Sequence, residues 1–168
     1  MAVASGAQSG AQALSLNMKL ISHHDMGGFG GMGEGMGMQK TKDGRRVIWL
    51  GHEGAPKNFT AIDVTDPAKP KMLVQTELPH AKMRSNSLEV YGDMMIVAHQ
   101  IRGEFGLTPA GFDLWDISKP EQPKRITHFD ASGPHSLGVH CVWCPDGEFV
   151  HMSSGAADFK PRNDKDYQ

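Results

Sequence analysis

The chain has 168 residues, a formal net charge of −2 and 21% charged residues, a composition typical of a globular domain. Acidic and basic residues are interspersed, so neither a nucleic-acid partner nor a membrane surface is indicated. No apolar stretch reaches the roughly 20 residues that a bilayer-spanning helix needs, and two cysteines cannot form a disulfide framework. We therefore expect a cytoplasmic protein without a secretory signal.

The first part of the chain predicts little regular structure. Residues 1–17 are rich in Ala, Ser, Gly and Gln, which is typical of a flexible N-terminal segment. Residues 26–38 read MGGFGGMGEGMGM, and this Gly/Met-rich composition predicts a loop. We expect a domain over residues 18–168, with regular strands from about Arg45 onward.

Two segments of the chain repeat each other without a gap. Residues 59–71 (FTAIDVTDPAKPK) match residues 112–124 (FDLWDISKPEQPK), so that an Asp, a Lys and two prolines recur 53 residues apart. In each copy a run of alternating apolar and polar residues is followed by a proline, which cannot donate a backbone hydrogen bond to a neighbouring strand. Each copy therefore predicts a strand, a turn and a second strand. A period near 50 residues is typical of β-propeller blades.

A predicted hairpin precedes each copy. Residues 88–97 (LEVYGDMMIV) resemble residues 141–150 (CVWCPDGEFV), and Asp43-Gly44 provides a third turn of a type that hairpins prefer. The strands at 47–50 and 94–97 are apolar on both faces, as in sheets covered on both sides. No window has helical periodicity. The sequence predicts an all-β fold of about three four-stranded antiparallel blades, with blade breaks near residues 80 and 133.

The repeated segments resemble a known family. IDVTDPAKP at residues 62–70 and WDISKPEQP at 115–123 are similar to the LVIVD repeats of β-propeller proteins, and SHHDMGGFGG at 22–31 is similar to the start of some bacterial members. The resemblance covers residues 20–168 and implies the N-terminal portion of a propeller with about seven blades. Three blades cannot close a ring, because each sheet needs neighbours. We expect a fragment, or a chain that completes the ring by oligomerising.

Nine histidines raise the question of a metal site. The innermost strand of each propeller blade lines the central channel, and we assign these strands to residues 21–25, 85–90 and 138–142. Their polar residues are His23, His24, Asp25, Asn86, Glu89 and His140. Imidazole and carboxylate groups suit a transition metal ion such as Zn, Cu, Fe or Mn. The predicted metal ligands are His24, Asp25, Glu89 and His140. The alternative is that these residues only bind water and one another.

The remaining motifs predict structural roles. His52 and His99 each follow a second strand and are expected at a blade edge or in a loop. Weaker signals come from His80, His128, His135 and His151. Cys141 and Cys144 form a C-x-x-C pattern, but residues three apart on a strand face opposite ways, so inert cysteines are expected. The G-x-G-x-x-G at residues 28–33 lacks the preceding strand and following helix of a dinucleotide site.

Three functions from different classes stay open. The first is a scaffold that binds a small-molecule ligand or a protein partner without chemistry, since a fold alone does not imply an activity. The second is a metal-dependent oxidoreductase or hydrolase with a His/carboxylate site in the central channel. The third is a closed oligomer of short propeller segments. No nucleophile elbow, P-loop or HExxH motif favours a particular reaction.

Overall fold

The computed structural model describes residues 17–29, 32–155 and 162. These residues contain a short 3-10 helix, Met26–Gly28, and eleven strands. The strands are β1 (Met32–Lys40), β2 (Arg46–His52), β3 (Lys57–Asp63), β4 (Lys71–Glu77), β5 (Met83–Arg84), β6 (Leu88–Tyr91), β7 (Met94–Ile101), β8 (Gly111–Asp116), β9 (Lys124–Asp130), β10 (Val139–Trp143) and β11 (His151–Ser154). Among the described residues, no helix has the length and apolar character needed to cross a bilayer. Apart from Asn17, the N-terminal segment predicted to be flexible lies outside them.

The strands form three antiparallel sheets. In the first sheet the order is β1-β2-β3-β4, so each strand pairs with the next along the chain. The second sheet has β7, β8 and β9 in the same sequential order, and both β6 and the short β5 pair with the other edge of β7. The third is the hairpin β10-β11. The predicted all-β, antiparallel class is confirmed, and the breaks predicted near residues 80 and 133 lie in the connections between sheets.

The repeated segments occupy corresponding places in the first and second sheets. One comprises the end of β3, a turn and the start of β4, and the other comprises the same parts of β8 and β9. In both turns the Asp carboxylate accepts a hydrogen bond from the backbone N–H two residues later, at 2.8 Å from Thr65 to Asp63 and at 2.8 Å from Ser118 to Asp116. A register shift also interrupts the strand pairing at corresponding positions. The sequence repeat therefore corresponds to a structural repeat.

The Gly/Met-rich segment is not the loop that its composition predicts, because much of it forms β1. Three alternate glycines of β1 face the chain at residues 86–90. A Cβ atom on Gly33 would lie 2.4 Å from Cα of Asn86, and one on Gly35 would lie 2.2 Å from the backbone nitrogen of Leu88. Glycine is needed here because two backbones approach too closely for any side chain.

The strands β1, β6 and β10 lie beside one another, and we call them the first strands of the three sheets although the short β5 precedes β6 in the chain. The N–H of Gly35 on β1 donates to the carbonyl of Asn86 at 2.5 Å, next to β6. The N–H of Val142 on β10 donates to the hydroxyl of Ser87 at 3.1 Å, also next to β6. One strand of each sheet therefore lies next to a strand of the neighbouring sheet.

The innermost strand predicted at residues 21–25 is wrong. These residues precede the 3-10 helix and form no strand. Asp25 caps this helix by accepting a hydrogen bond from the N–H of Gly27 at 3.0 Å. The other two predictions, at residues 85–90 and 138–142, overlap β6 and β10.

The core lies between sheets stacked face to face. We call the two sides of each sheet its front and rear faces. The rear face of the first sheet carries Val47, Trp49, Phe59 and Ala61, and it packs against the front face of the second sheet, which carries Leu88, Met95, Val97 and Trp115. The rings of Phe59 and Trp115 meet edge to face across this junction, with centroids 5.0 Å apart. Each large side chain buried here stabilises the fold by about 1.5–3 kcal/mol.

A second layer of core lies on the other side of the second sheet. Its rear face carries Ile96, Ala98, Phe112 and Leu114, and these residues pack against Val139 and Val142 of the third sheet. Alternate residues of β7 and β8 therefore pack into two different hydrophobic cores. This explains why both faces of these strands carry apolar residues.

We expect Gly35→Ala to lower the free energy of unfolding by about 3 kcal/mol, because the added methyl group meets backbone atoms of β6 that cannot move aside. Urea unfolding at neutral pH measures the change. Gly54→Ala is the matched control, since nothing lies within 4 Å of the Cβ it would add. Equal stabilities of the two variants would contradict the close approach of β1 and β6.

Candidate functional site

Three adjacent strands of the second sheet bring two histidines and a carboxylate together. His99 lies on β7, Asp113 on β8 and His128 on β9. Asp113 pairs in register with Val97, two residues before His99, and with His128, so all three side chains project from the front face. Their ligand atoms lie within 4.8 Å of one another. Among the described residues this His–Asp–His cluster is the one such group of His, Cys, Asp or Glu.

The cluster is largely buried and only partly hydrogen-bonded. His99 and Asp113 are 2% and 3% exposed, and His128 is partly buried. Nδ1 of His128 lies 2.8 Å from Oδ1 of Asp113, a hydrogen bond. Nε2 of His99 lies 3.8 Å from Oδ2 of Asp113, which is too long for one. The two imidazole rings stack with their centroids 6.0 Å apart.

Burial sets the charge state of His99. Desolvation is the largest cause that lowers the pKa of His99 from its ordinary value of 6.5 to about 4. The carboxylate of Asp113 opposes this shift, whereas His128 and Arg125 add to it. His99 is therefore neutral at pH 7, with a nitrogen lone pair available to a ligand. Arg125 marks the exposed rim, where its guanidinium lies 3.8 Å from Oδ1 of Asp113.

Three buried ring nitrogens of the cluster have no hydrogen-bond partner among the described residues. They are Nδ1 and Nε2 of His99 and Nε2 of His128. Each unpaired buried polar atom costs about 1–3 kcal/mol, and native proteins rarely leave several together. Imidazole nitrogen and carboxylate oxygen are ligands of Zn, Fe and Mn. A metal ion here would bond to an otherwise unpaired nitrogen of His99.

The first sheet carries a counterpart of the cluster without a carboxylate, which we call the His–Thr–Gln trio. It consists of His52 on β2, Thr60 on β3 and Gln75 on β4. Thr60 pairs in register with Leu50, two residues before His52, and with Gln75, which is the pattern found around Asp113. Nε2 of His52 lies 2.7 Å from Oγ1 of Thr60, and the side-chain amide of Gln75 donates to the same oxygen at 2.9 Å. His52 of the first sheet is thus hydrogen-bonded, whereas the ring nitrogens of His99, its counterpart in the second sheet, have no hydrogen bond to any described residue.

The metal ligands predicted from the sequence lie elsewhere. His24 and Asp25 precede the 3-10 helix, and Nδ1 of His24 accepts a hydrogen bond from the N–H of Met26 at 2.9 Å. The structure brings neither residue into a group of three or more His, Cys, Asp or Glu within its described part.

The other two predicted ligands lie on first strands. Nδ1 of His140 on β10 lies 3.0 Å from the side-chain oxygen of Gln100. Glu89 on β6 is partly buried, and this burial raises the pKa of its carboxyl group. Like His24 and Asp25, these residues stay a prediction, and they are not members of the His–Asp–His cluster.

Sequence reasoning missed the cluster although a signal for it was present. The sequence predicts His99 at a blade edge or in a loop and gives only a weak signal at His128. The 53-residue repeat aligns Asp113 with Thr60 and His128 with Gln75. The turn between β8 and β9 sets the register of these two strands. Pairing them across that turn places Asp113 beside His128.

Comparisons with known proteins do not assign the chain to a family. No protein-family model matches it, and no curated protein matches it.

We expect the free energy of unfolding to fall as the pH drops from 7 to 4, because His99 takes up a proton in the unfolded chain at a higher pH than in the folded one. Its contribution is complete above pH 6.5 and is lost as the pH falls through about 4. The loss is about 3 kcal/mol for a group this deeply buried. Urea unfolding at several pH values measures it.

His99→Gln should remove this part of the pH dependence, since glutamine does not titrate. His23→Gln is the matched control at an exposed histidine and should leave the profile unchanged. Equal acid sensitivity in His99→Gln and the parent chain would show that other groups cause the loss.

Proposed function

We propose that the chain is a segment of a β-propeller of the LVIVD-repeat type, and that its second blade binds a divalent transition metal ion through His99, Asp113 and His128. The observation that carries the metal site is a buried two-histidine, one-carboxylate cluster with unpaired ring nitrogens on the histidines.

The stacking of the sheets supports the propeller. Two four-stranded meanders repeat in register and in turn structure, and the front face of one packs on the rear face of the other. The first strands of three successive sheets lie side by side, as strands around a central axis do. Both cysteines are free and one is exposed, which fits the reducing cytoplasm that we propose as the location.

The charges and hydrogen bonds of the cluster favour a divalent metal. His99 is neutral, so its nitrogen can bond to a cation without first losing a proton. The carboxylate of Asp113 lies between the two histidines and supplies the negative charge that a buried cation needs. Nδ1 of His128 and Oδ1 of Asp113 now share a hydrogen bond, and both atoms would turn to the metal when that proton leaves.

Two histidines and one carboxylate leave coordination positions open. Zinc with three protein ligands keeps a position for water or substrate, and iron(II) uses the same ligand types in oxygenases. Such a metal polarises a substrate or activates bound water, so both hydrolytic and oxidative chemistry are compatible with the cluster. His128 is the most exposed of the three ligands, and its side chain, 21% exposed, lies on the route to solvent.

The second candidate function is a scaffold that binds a ligand or partner without chemistry. The His–Thr–Gln trio favours it, because the corresponding position of the first sheet holds hydrogen-bonded side chains and no carboxylate. The two functions differ in whether the second sheet takes up a metal ion.

We expect the metal-free chain to bind one Co²⁺ or Zn²⁺ ion at neutral pH. The double variant Asp113→Thr, His128→Gln should bind it at least about 100-fold more weakly, because two of three ligands are gone. This variant gives the second sheet the residues that the first sheet already holds at corresponding positions, so we expect it to fold. Isothermal titration and the visible absorption spectrum of bound Co²⁺ measure the affinity and the ligand set.

His151→Gln is the control, because His151 is an exposed histidine of the third sheet. It should bind the metal as the parent chain does. Equal binding by the double variant, or no binding by the folded parent chain, would reject the metal site and leave the scaffold as the better function.

A further inference from the structure

A cavity of about 120 Å³ lies on the rear face of the second sheet, on the opposite side from the His–Asp–His cluster. It opens between that face and the turn that joins β10 to β11. Apolar side chains form most of its wall, namely Met94, Ile96, Leu114 and Val150. A cavity of this size holds about four water-sized groups, which is enough for a small organic molecule.

An unpaired carboxylate enters this apolar cavity. Glu89 pairs in register with Ile96, so its side chain lies on the same face as that buried residue. No described residue forms a hydrogen bond or an ion pair with this carboxylate. Burial alone accounts for the raised pKa of Glu89, which agrees with the lack of a nearby cation. Glu89 is only partly buried, so its charge is available to a cationic ligand in the cavity.

An aromatic ring and a second carboxylate stand at the mouth of the cavity. Tyr91 packs over the turn at Gly147, where an added Cβ would lie 2.3 Å from the ring. Glu148 follows in the same turn and is exposed. The face of a tyrosine ring attracts cations. The two carboxylates and the tyrosine ring therefore favour positive charge, whereas the rest of the wall, which includes Cys144, favours a short hydrocarbon.

We propose that this cavity binds a small alkylamine in its ammonium form, with Glu89 as the charge partner and the alkyl chain against Ile96 and Leu114. The ligand carries one positive charge and about four non-hydrogen atoms, as the volume requires. This inference is independent of the metal site, because the two sites lie on opposite faces of the second sheet and share no residue.

NMR titration of the metal-free chain with n-propylammonium chloride at neutral pH and constant ionic strength tests the proposal. We expect saturable shifts of the resonances of Ile96 and Leu114. Glu89→Gln should weaken binding at least about tenfold, because the amide keeps the shape of the side chain and removes its charge. Glu34→Gln, at an exposed glutamate of β1, should leave binding unchanged.

1-Propanol is the neutral match for the ligand and should bind at least about tenfold more weakly than n-propylammonium to the parent chain. Val150→Trp, at the exposed rim, should block the cavity without removing Glu89, which keeps the test available if Glu89→Gln does not fold. Equal affinity of Glu89→Gln and the parent chain, or equal binding of the alcohol and the amine, would overturn the proposal.

Discussion

The packing of one sheet face on the next is the interaction on which the rest of this structure depends. Phe59 of the first sheet meets Trp115 of the second at 5.0 Å, and the front face that this contact buries is also the face that carries Asp113. His99 lies two residues beyond Val97 on this same face, and burial there lowers its pKa to about 4. The apolar junction and the polar cluster therefore share one face of the second sheet.

The parts of the fold that sequence reasoning predicts are those that local residues determine. The Asp side chains at 63 and 116 bond to the backbone two residues on, and the following prolines end the strand, so each turn can be recognised within about ten residues. β1 could not be predicted in this way. Gly33 and Gly35 are needed for a close approach to a strand more than 50 residues away, and their composition alone is that of a flexible loop.

The candidate site was harder to predict than the fold, because it depends on strand register and strand length. β7 continues through His99 to Ile101, since Ile101 and its neighbour pair with the short strand β5, which no sequence pattern indicates. A strand predicted to end at Val97 leaves His99 in a loop. The sequence predicts Glu89 as a metal ligand because of its assignment to an innermost strand, and the cavity beside it depends on a turn in the third sheet.

The correspondence between the His–Thr–Gln trio and the His–Asp–His cluster shows how two repeats of one fold can differ in their polar residues. Both sheets hold a histidine at corresponding backbone positions. The two sets differ at the other two positions, where the second sheet has Asp113 in place of a threonine and His128 in place of a glutamine. A sheet that holds the His–Thr–Gln trio is therefore two amino-acid changes from the His–Asp–His cluster. Neither change affects the apolar residues that stack the two sheets, so this position can vary while the stacking is kept.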